Sequence, residues 1–294
     1  MAAKFGPGGN SESFRAAGLR STLQAPRFVR ELGLEAYEYE AGNGITGSSE
    51  MFLAVGAKAR EHGIKMSFHA PYFISLSSVE KEKRLNSIGY IQRSAEVSEL
   101  LGADIMVVHC GSCAKISRET AMEYATETLV GTAEMMQSYG YKTRVGIETM
   151  GKINQLGTLD EVLTLCKISD CFAPVVDFGH LNARERGYFY TADDYKRVFD
   201  RIASELGSNY AEDLHCHFSK IMFTEMGEKK HLTFEDSVYG PSFEPLAEAI
   251  VSLGVSPTII CESAGTQSDD AVVMKMTYER EKIRSEERRV GKEC

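Results

Sequence analysis

Histidines and carboxylates recur in this chain at the ends of short apolar runs. KMSFHA ends near His69, IMVVHC near His109, RVGIET near Glu148 and TIICES near Glu262; PVVDFGH carries Asp177 and His180, and DLHCHFSK carries His215 and His217. Neutral imidazoles mixed with carboxylates are the donor set of a zinc site, whereas oxygen-only sets favour Mg2+ or Mn2+. Such a site can neutralise a phosphate, lower the pKa of a bound water or polarise a carbonyl. A single histidine at a strand end is more often a hydrogen-bonded core or surface residue than a ligand. Five histidines beside three carboxylates at one register reverse that judgement. Glu262 is individually the strongest, because an unpaired carboxylate in an apolar run needs a cation or a partner. His215 and His217 lie two residues apart on one strand face, so either can be the ligand.

The elements that must position these groups follow from periodicity. Strand-like runs fall near 3–6, 36–40, 65–70, 104–110, 144–149, 174–178, 213–218 and 258–262, with amphipathic stretches in the gaps between them. Capping-box pairs mark helix starts at Ser77 with Glu80, Thr158 with Glu161 and Thr191 with Asp194. After Ser77 the spacing of Leu85, Ile88, Ile91, Ala95, Val97, Leu100 and Leu101 gives one apolar helix face, and Gly102 ends it. Eight evenly spaced βα units imply parallel strands with right-handed crossovers. The expected fold is α/β, a (β/α)8 TIM barrel forming a single domain over residues 1–283; a doubly wound open sheet is the competing arrangement. In a barrel the strand C-termini converge on one face, where active sites are built.

Bulk properties narrow the function. The chain has 294 residues and a formal net charge of −9, so no general basic face draws it onto nucleic acid, and phosphate binding must be local or supplied by cations. The opening MAAKFGPGGNSESF lacks the apolar core of a signal peptide, and no run approaches the ~20 apolar residues of a membrane span. A cytoplasmic protein with no membrane partner is expected. Seven scattered cysteines argue for reduced thiols rather than a disulfide framework, and the lone CxxC of Cys110 and Cys113 is explained by a small half-buried thiol. Residues 284–294, RSEERRVGKEC, lose apolar periodicity and read as a disordered tail, with the look of translated vector sequence rather than native chain.

In order and spacing, FHAPYFISLSS, VVHCGS, GIETMGKINQLGTLDEVL, PVVDFGHLNARERG, LHCHFSK and IICES resemble the signature segments of the endonuclease IV family, over roughly residues 60–265. That resemblance implies a zinc-dependent hydrolase that cuts DNA 5′ to abasic sites in base excision repair, using a zinc-bound hydroxide and two or three zinc ions. It places His69 and His109 on the first metal, with Glu148 bridging to the second. Asp177, His215 and Glu262 complete the second site, the order of the motif favouring His215 over His217. His180 and His231 hold the third. Tyr72 matches the position of a tyrosine that enters the DNA at the lesion, and Lys220 is a candidate phosphate contact. A monomer acting on DNA containing abasic sites is the implied state.

This chain also departs from that pattern. Where the family has an aspartate two residues before the last histidine, it has Lys229 in GEKKH, and a protonated lysine repels a cation. Glu228 or Glu225 can substitute by a shift of register. The loop after the second strand, basic in the family, is YEYEAGNG with Glu38 and Glu40, which weakens the case for duplex DNA. Sugar isomerases and epimerases of the xylose-isomerase-like group resemble the chain in Glu148, Asp177, His215 and Glu262, which there hold one Mn2+ or similar ion, with His180 near the sugar. That alternative leaves His69, His109 and His231 without a metal role, so the multizinc reading is preferred. A metal-binding protein that recognises its ligand without turning it over ranks third.

Overall fold

The computed structural model describes residues 2–293. Ten strands are present among them: β1 (Lys4–Pro7), β2 (Ala36–Glu40), β3 (Lys65–His69), β4 (Ala103–His109), β5 (Arg144–Glu148), β6 (Phe172–Asp177), β7 (His215–Phe218), β8 (Ile221–Thr224), β9 (Gly227–His231) and β10 (Thr258–Cys261). Eight of them form one parallel sheet in the order β1-β10-β7-β6-β5-β4-β3-β2. Its edges meet: Gly9 N donates to Glu38 O and Glu35 N to Phe5 O, each at 3.0 Å. Gly6 permits this closure, since a Cβ there would sit 1.7 Å from the Ala36 carbonyl oxygen. The expected (β/α)8 barrel is therefore the fold, and each expected strand is found with its ends within two residues of expectation.

Two apolar layers hold the barrel. Phenylalanines on the outer face of the strands, among them Phe5, Phe68, Phe172 and Phe218, are fully buried beneath the helices. Inside the barrel Ile105, Val107, Ala173 and Val175 form a small separate cluster. Because side chains alternate along a strand, the next inward residue above Val107 is His109 and the next above Val175 is Asp177. The interior thus passes from an aliphatic floor to an ionisable mouth within one strand step.

The helices bear out most of the capping signals. Thr158 with Glu161 and Thr191 with Asp194 form capping boxes, and Gly102 ends the 81–101 helix at φ 70°. Ser77 does not cap. The helix begins at Lys81, and the Ser77 hydroxyl donates instead to Ser112 O at 2.8 Å, tying the loop after β3 to the loop after β4. Leu85, expected on the apolar face, is exposed; Ser87, Ser94 and Ser98 take buried places on that helix, each returning its hydroxyl to the carbonyl four residues earlier. The helix from Gln267 runs to Glu293, with Arg284 and Arg288 paired to Glu281; the last residue of the segment 284–294 lies outside the described residues.

One element goes beyond the eight-unit pattern. The antiparallel hairpin β8–β9 follows β7 and leans over the barrel mouth. Ile153 N donates to Met226 O and Glu228 N to Gly151 O, so the hairpin is stitched to the loop after β5. No helix is long and apolar enough to cross a membrane among the described residues.

Candidate metal centre

Glu148, at the end of β5 and buried, is the hub of the mouth. Its Oε2 lies 3.1 Å from His109 Nε2 and 3.6 Å from His69 Nε2, while its Oε1 lies 2.9 Å from His217 Nδ1. Two strand pairs deliver their groups level with one another, His109 beside Glu148 on β4 and β5 and Asp177 beside His217 on β6 and β7, while the register steps by two residues between β3 and β4, where His69 faces Val107, and between β5 and β6, where Glu148 faces Val175. Glu148, Asp177, His217 and Glu262 bring one ligand atom apiece within 4.8 Å of one another, and so do His69, Glu148 and His217. Strand ends and side-chain reach together therefore assemble two groups that share the Glu148 carboxylate.

The two histidines of HCHF are placed differently, His215 and His217 sharing a further ligand-like group with Glu38 below the mouth. His217 faces the mouth, with Nδ1 also 3.3 Å from Glu262 Oε1. His215, one inward step lower, puts its Nε2 2.9 Å from Glu38 Oε2 and touches none of the other expected ligands. The physical reason is the period of two: both side chains point inward, but only the second stands level with Asp177.

The third group comes from outside the strands of the barrel. His180, in the first turn of the short helix 178–184, lies 3.4 Å from Glu228 Oε2 on the hairpin, and its ring packs edge-on to that of His231 at 5.4 Å. Glu228 thus fills the acidic position that Lys229 left in doubt. A break in the β8–β9 register between Met222 and Phe223 accompanies this, and Lys229 is exposed. Three ligand rings are also fixed from behind. His69 Nδ1 lies 2.9 Å from Ala70 O, His180 Nδ1 3.0 Å from Thr149 O and His231 Nδ1 2.8 Å from Ser219 Oγ, which leaves their Nε2 atoms for the cavity.

The donors fit a cation. Glu148 Oε2 and Asp177 Oδ2 are buried without a hydrogen-bond donor, an arrangement that costs several kcal/mol per ion unless positive charge is supplied. Burial opposes charge on Glu148, yet His217, His109 and His180 hold its carboxyl well below the usual range. Glu262 goes the other way: burial pushes it well above the usual range, His217 opposing and Glu148 and Asp177 adding to the rise. Burial is likewise overcome at His69, where Glu40 and Glu148 raise the imidazole to about 10, whereas it prevails at His109 and His231 and lowers both. Mixed nitrogen and oxygen donors of this kind suit Zn2+.

His69, Tyr72, His109, Glu148, Met150, Lys152, Gln155, His180, Glu228, His231 and Glu262 line a cavity of about 310 Å³ above these atoms. Tyr72 stands at its edge, 61% exposed. Lys220 does not reach it. Its ammonium donates to the carbonyls of Phe234 and Asp236 and holds the loop after β9. Lys152, four residues beyond Glu148, takes the cationic place at the rim instead. Sequence reasoning missed it, and also missed Glu38 as an interior residue, although YEYE already put Glu38 and Glu40 on one face of β2. A larger groove of about 790 Å³ lies on the outer wall beside the 192–206 helix and includes none of the expected ligands.

Comparisons with known proteins agree with this architecture. A family model described as xylose isomerase-like TIM barrel matches residues 26–294. An uncharacterized protein of Methanocaldococcus jannaschii is 30% identical over 255 residues, covering 86% of this chain and 90% of that one. A probable endonuclease 4 of Acholeplasma laidlawii is 29% identical over 182 residues, 59% of each chain. Among solved structures, a D-tagatose 3-epimerase-like protein aligns with a TM-score of 0.71 at 16% identity, covering 96% of this chain and 99% of that one. Endonuclease IV from Thermus thermophilus aligns at 0.64 and 18%, covering 88% and 94%; at such identities both likenesses speak for the fold. With a closed parallel barrel, ligand atoms gathered at its strand ends and a family match across most of its length, this chain belongs to the xylose isomerase-like TIM barrel family.

Proposed function

We propose that this protein is a zinc-dependent phosphodiesterase of the endonuclease IV type, cutting DNA beside abasic sites. The observation that carries the reading is the convergence of three ligand groups on one cavity, joined through Glu148 and through Glu262, which faces His217 on one side and His231 at 4.0 Å on the other. A single-ion sugar centre needs only Glu148, Asp177, His217 and Glu262; it gives no work to His69, His109, His231 or Glu228. The named endonuclease 4 relatives add support at low identity.

His69, His109 and Glu148 would hold one ion, Glu148, Asp177, His217 and Glu262 a second, and His180, Glu228 and His231 a third. When bound, such ions neutralise phosphate oxygens, activate water as a nucleophile and stabilise the leaving oxygen. The protein contributes the placement. Glu148 offers Oε2 to the histidine pair and Oε1 to the His217 side, so the spacing of two sites is set by one rigid carboxylate. Asp177 is held by its own backbone: Oδ1 caps the 178–184 helix by accepting from His180 N at 2.7 Å, which turns Oδ2 to the cavity. Lys152 at the rim would meet a non-bridging phosphate oxygen, and the exposed Tyr72 ring would pack against the sugar or base beside the scissile bond.

The test is incision of a duplex bearing one abasic analogue by zinc-loaded protein, with and without chelator, beside a ketose epimerisation assay with Mn2+. Chelator-sensitive incision is expected. A fully zinc-loaded protein that leaves the duplex intact and epimerises a ketose overturns the proposal in favour of the sugar enzyme.

A further inference from the structure

His217 is held differently from the other ligand histidines. His69 and His180 turn Nδ1 to backbone carbonyls and Nε2 to the cavity. His217 reverses this: its Nδ1 faces Glu148 Oε1 and Glu262 Oε1, at 2.9 and 3.3 Å, while its Nε2 points down the barrel. Flanking strands already engage the backbone there, since β7 lies between β6 and β10.

The side chain beside Nε2 is Glu38. It lies on β2, is fully buried, and places Oε1 2.8 Å from His217 Nε2, an ion-pair contact without hydrogen-bond alignment. Its other oxygen accepts from the Ser67 hydroxyl at 2.7 Å and stands 2.9 Å from His215 Nε2. A carboxylate with no exposure is costly, and among its hydrogen-bond and ion-pair partners no lysine or arginine offsets it. We propose that Glu38 is a positioning residue of the metal centre: its carboxylate beside Nε2 favours the His217 tautomer protonated there and so presents the Nδ1 lone pair to the ion shared by Glu148, Asp177 and Glu262. His215 and Ser67 serve this arrangement by holding the second Glu38 oxygen, which gives His215 a task although it does not reach the cavity. A carboxylate behind a ligating imidazole fixes its tautomer and orientation and raises its basicity. The inference rests on His217 as a ligand, not on the identity of the substrate.

The experiment has two parts. Zinc content and chelator competition are measured on wild type, Glu38→Ala and His217→Ala, with melting in chelator as the control for folding. Histidine ring 15N spectra of the zinc-loaded wild type, which need no folded variant at Glu38, report which nitrogen of each ring is protonated. Glu38→Ala is expected to weaken one ion by about 10- to 100-fold while the apo melting point stays near that of wild type. The His217 signal, identified by its loss in His217→Ala, should show a protonated Nε2 and a zinc-shifted Nδ1. Zinc on Nε2 of His217, or unchanged competition in a folded Glu38→Ala, overturns the inference. A wild type that takes up no zinc overturns the metal reading beneath it, a distinct failure.

Discussion

Ligands on the barrel strands and ligands on the hairpin reach one cavity by different means. His69, His109, Glu148, Asp177 and His217 sit at or next to the last positions of adjacent strands, held by the parallel ladder of the barrel. His231 and Glu228 depend on a two-stranded excursion whose position rests on a few backbone bonds to the 150–153 loop. A centre built this way should lose its parts unequally. The strand-borne pair ought to survive changes that dislodge the hairpin, whereas the hairpin site should not survive damage to its docking.

The largest effect is expected at the residue both sides share. Glu148→Ala removes the bridge, so cleavage should fall to background and metal analysis should find about one ion at most. Next, His231→Ala should release one ion and lower its apparent affinity by about 10- to 100-fold while the strand-borne ions remain, measured by chelator competition. A similar metal loss without touching a ligand is expected from Gly227→Ala. Its φ is 81°, and a Cβ there would approach Gly151 O to 2.1 Å. Strain of about 1–3 kcal/mol should lift the hairpin, seen as loss of the hairpin ion ahead of the others in a chelator titration.

Two smaller effects sharpen the contrast. His69, His180 and His217 are all raised in the apo protein, and their burial is overcome by neighbouring carboxylates such as Glu40 for His69, Asp177 for His180 and Glu262 for His217. They carry protons near neutral pH that must leave on ligation. Zinc binding should therefore release protons and tighten as pH rises, which calorimetry in buffers of different ionisation enthalpy reads directly. Lys229→Ala should do least: its side chain is exposed, and metal content should not change, with stability moving by no more than about 0.5 kcal/mol.

What the sequence disclosed follows the same division. The strands, their parallel order and most of the strand-end histidines and carboxylates that gather at the mouth were legible because inward position, burial and chemistry repeat every two residues along each strand. That His217 rather than His215 stands level with Asp177 was not legible from motif order, because it depends on the register of the neighbouring strand. Glu38 was read as part of the acidic loop after the second strand, yet it lies on β2 and closure of the barrel buries it inside. The hairpin was missed since its strands are short and half exposed, so no clean alternation marks them. Lys220 looked like a phosphate contact from its place five residues after His215, but the Phe234 and Asp236 carbonyls claim its charge.

The central claim is a multinuclear centre in which His69 and His109 serve as metal ligands. It is tested most directly by counting zinc in the purified, zinc-loaded wild type and in His109→Ala. The account predicts about two or three ions per chain in the wild type and one fewer in the variant. A single ion whose occupancy is indifferent to His109 would contradict it.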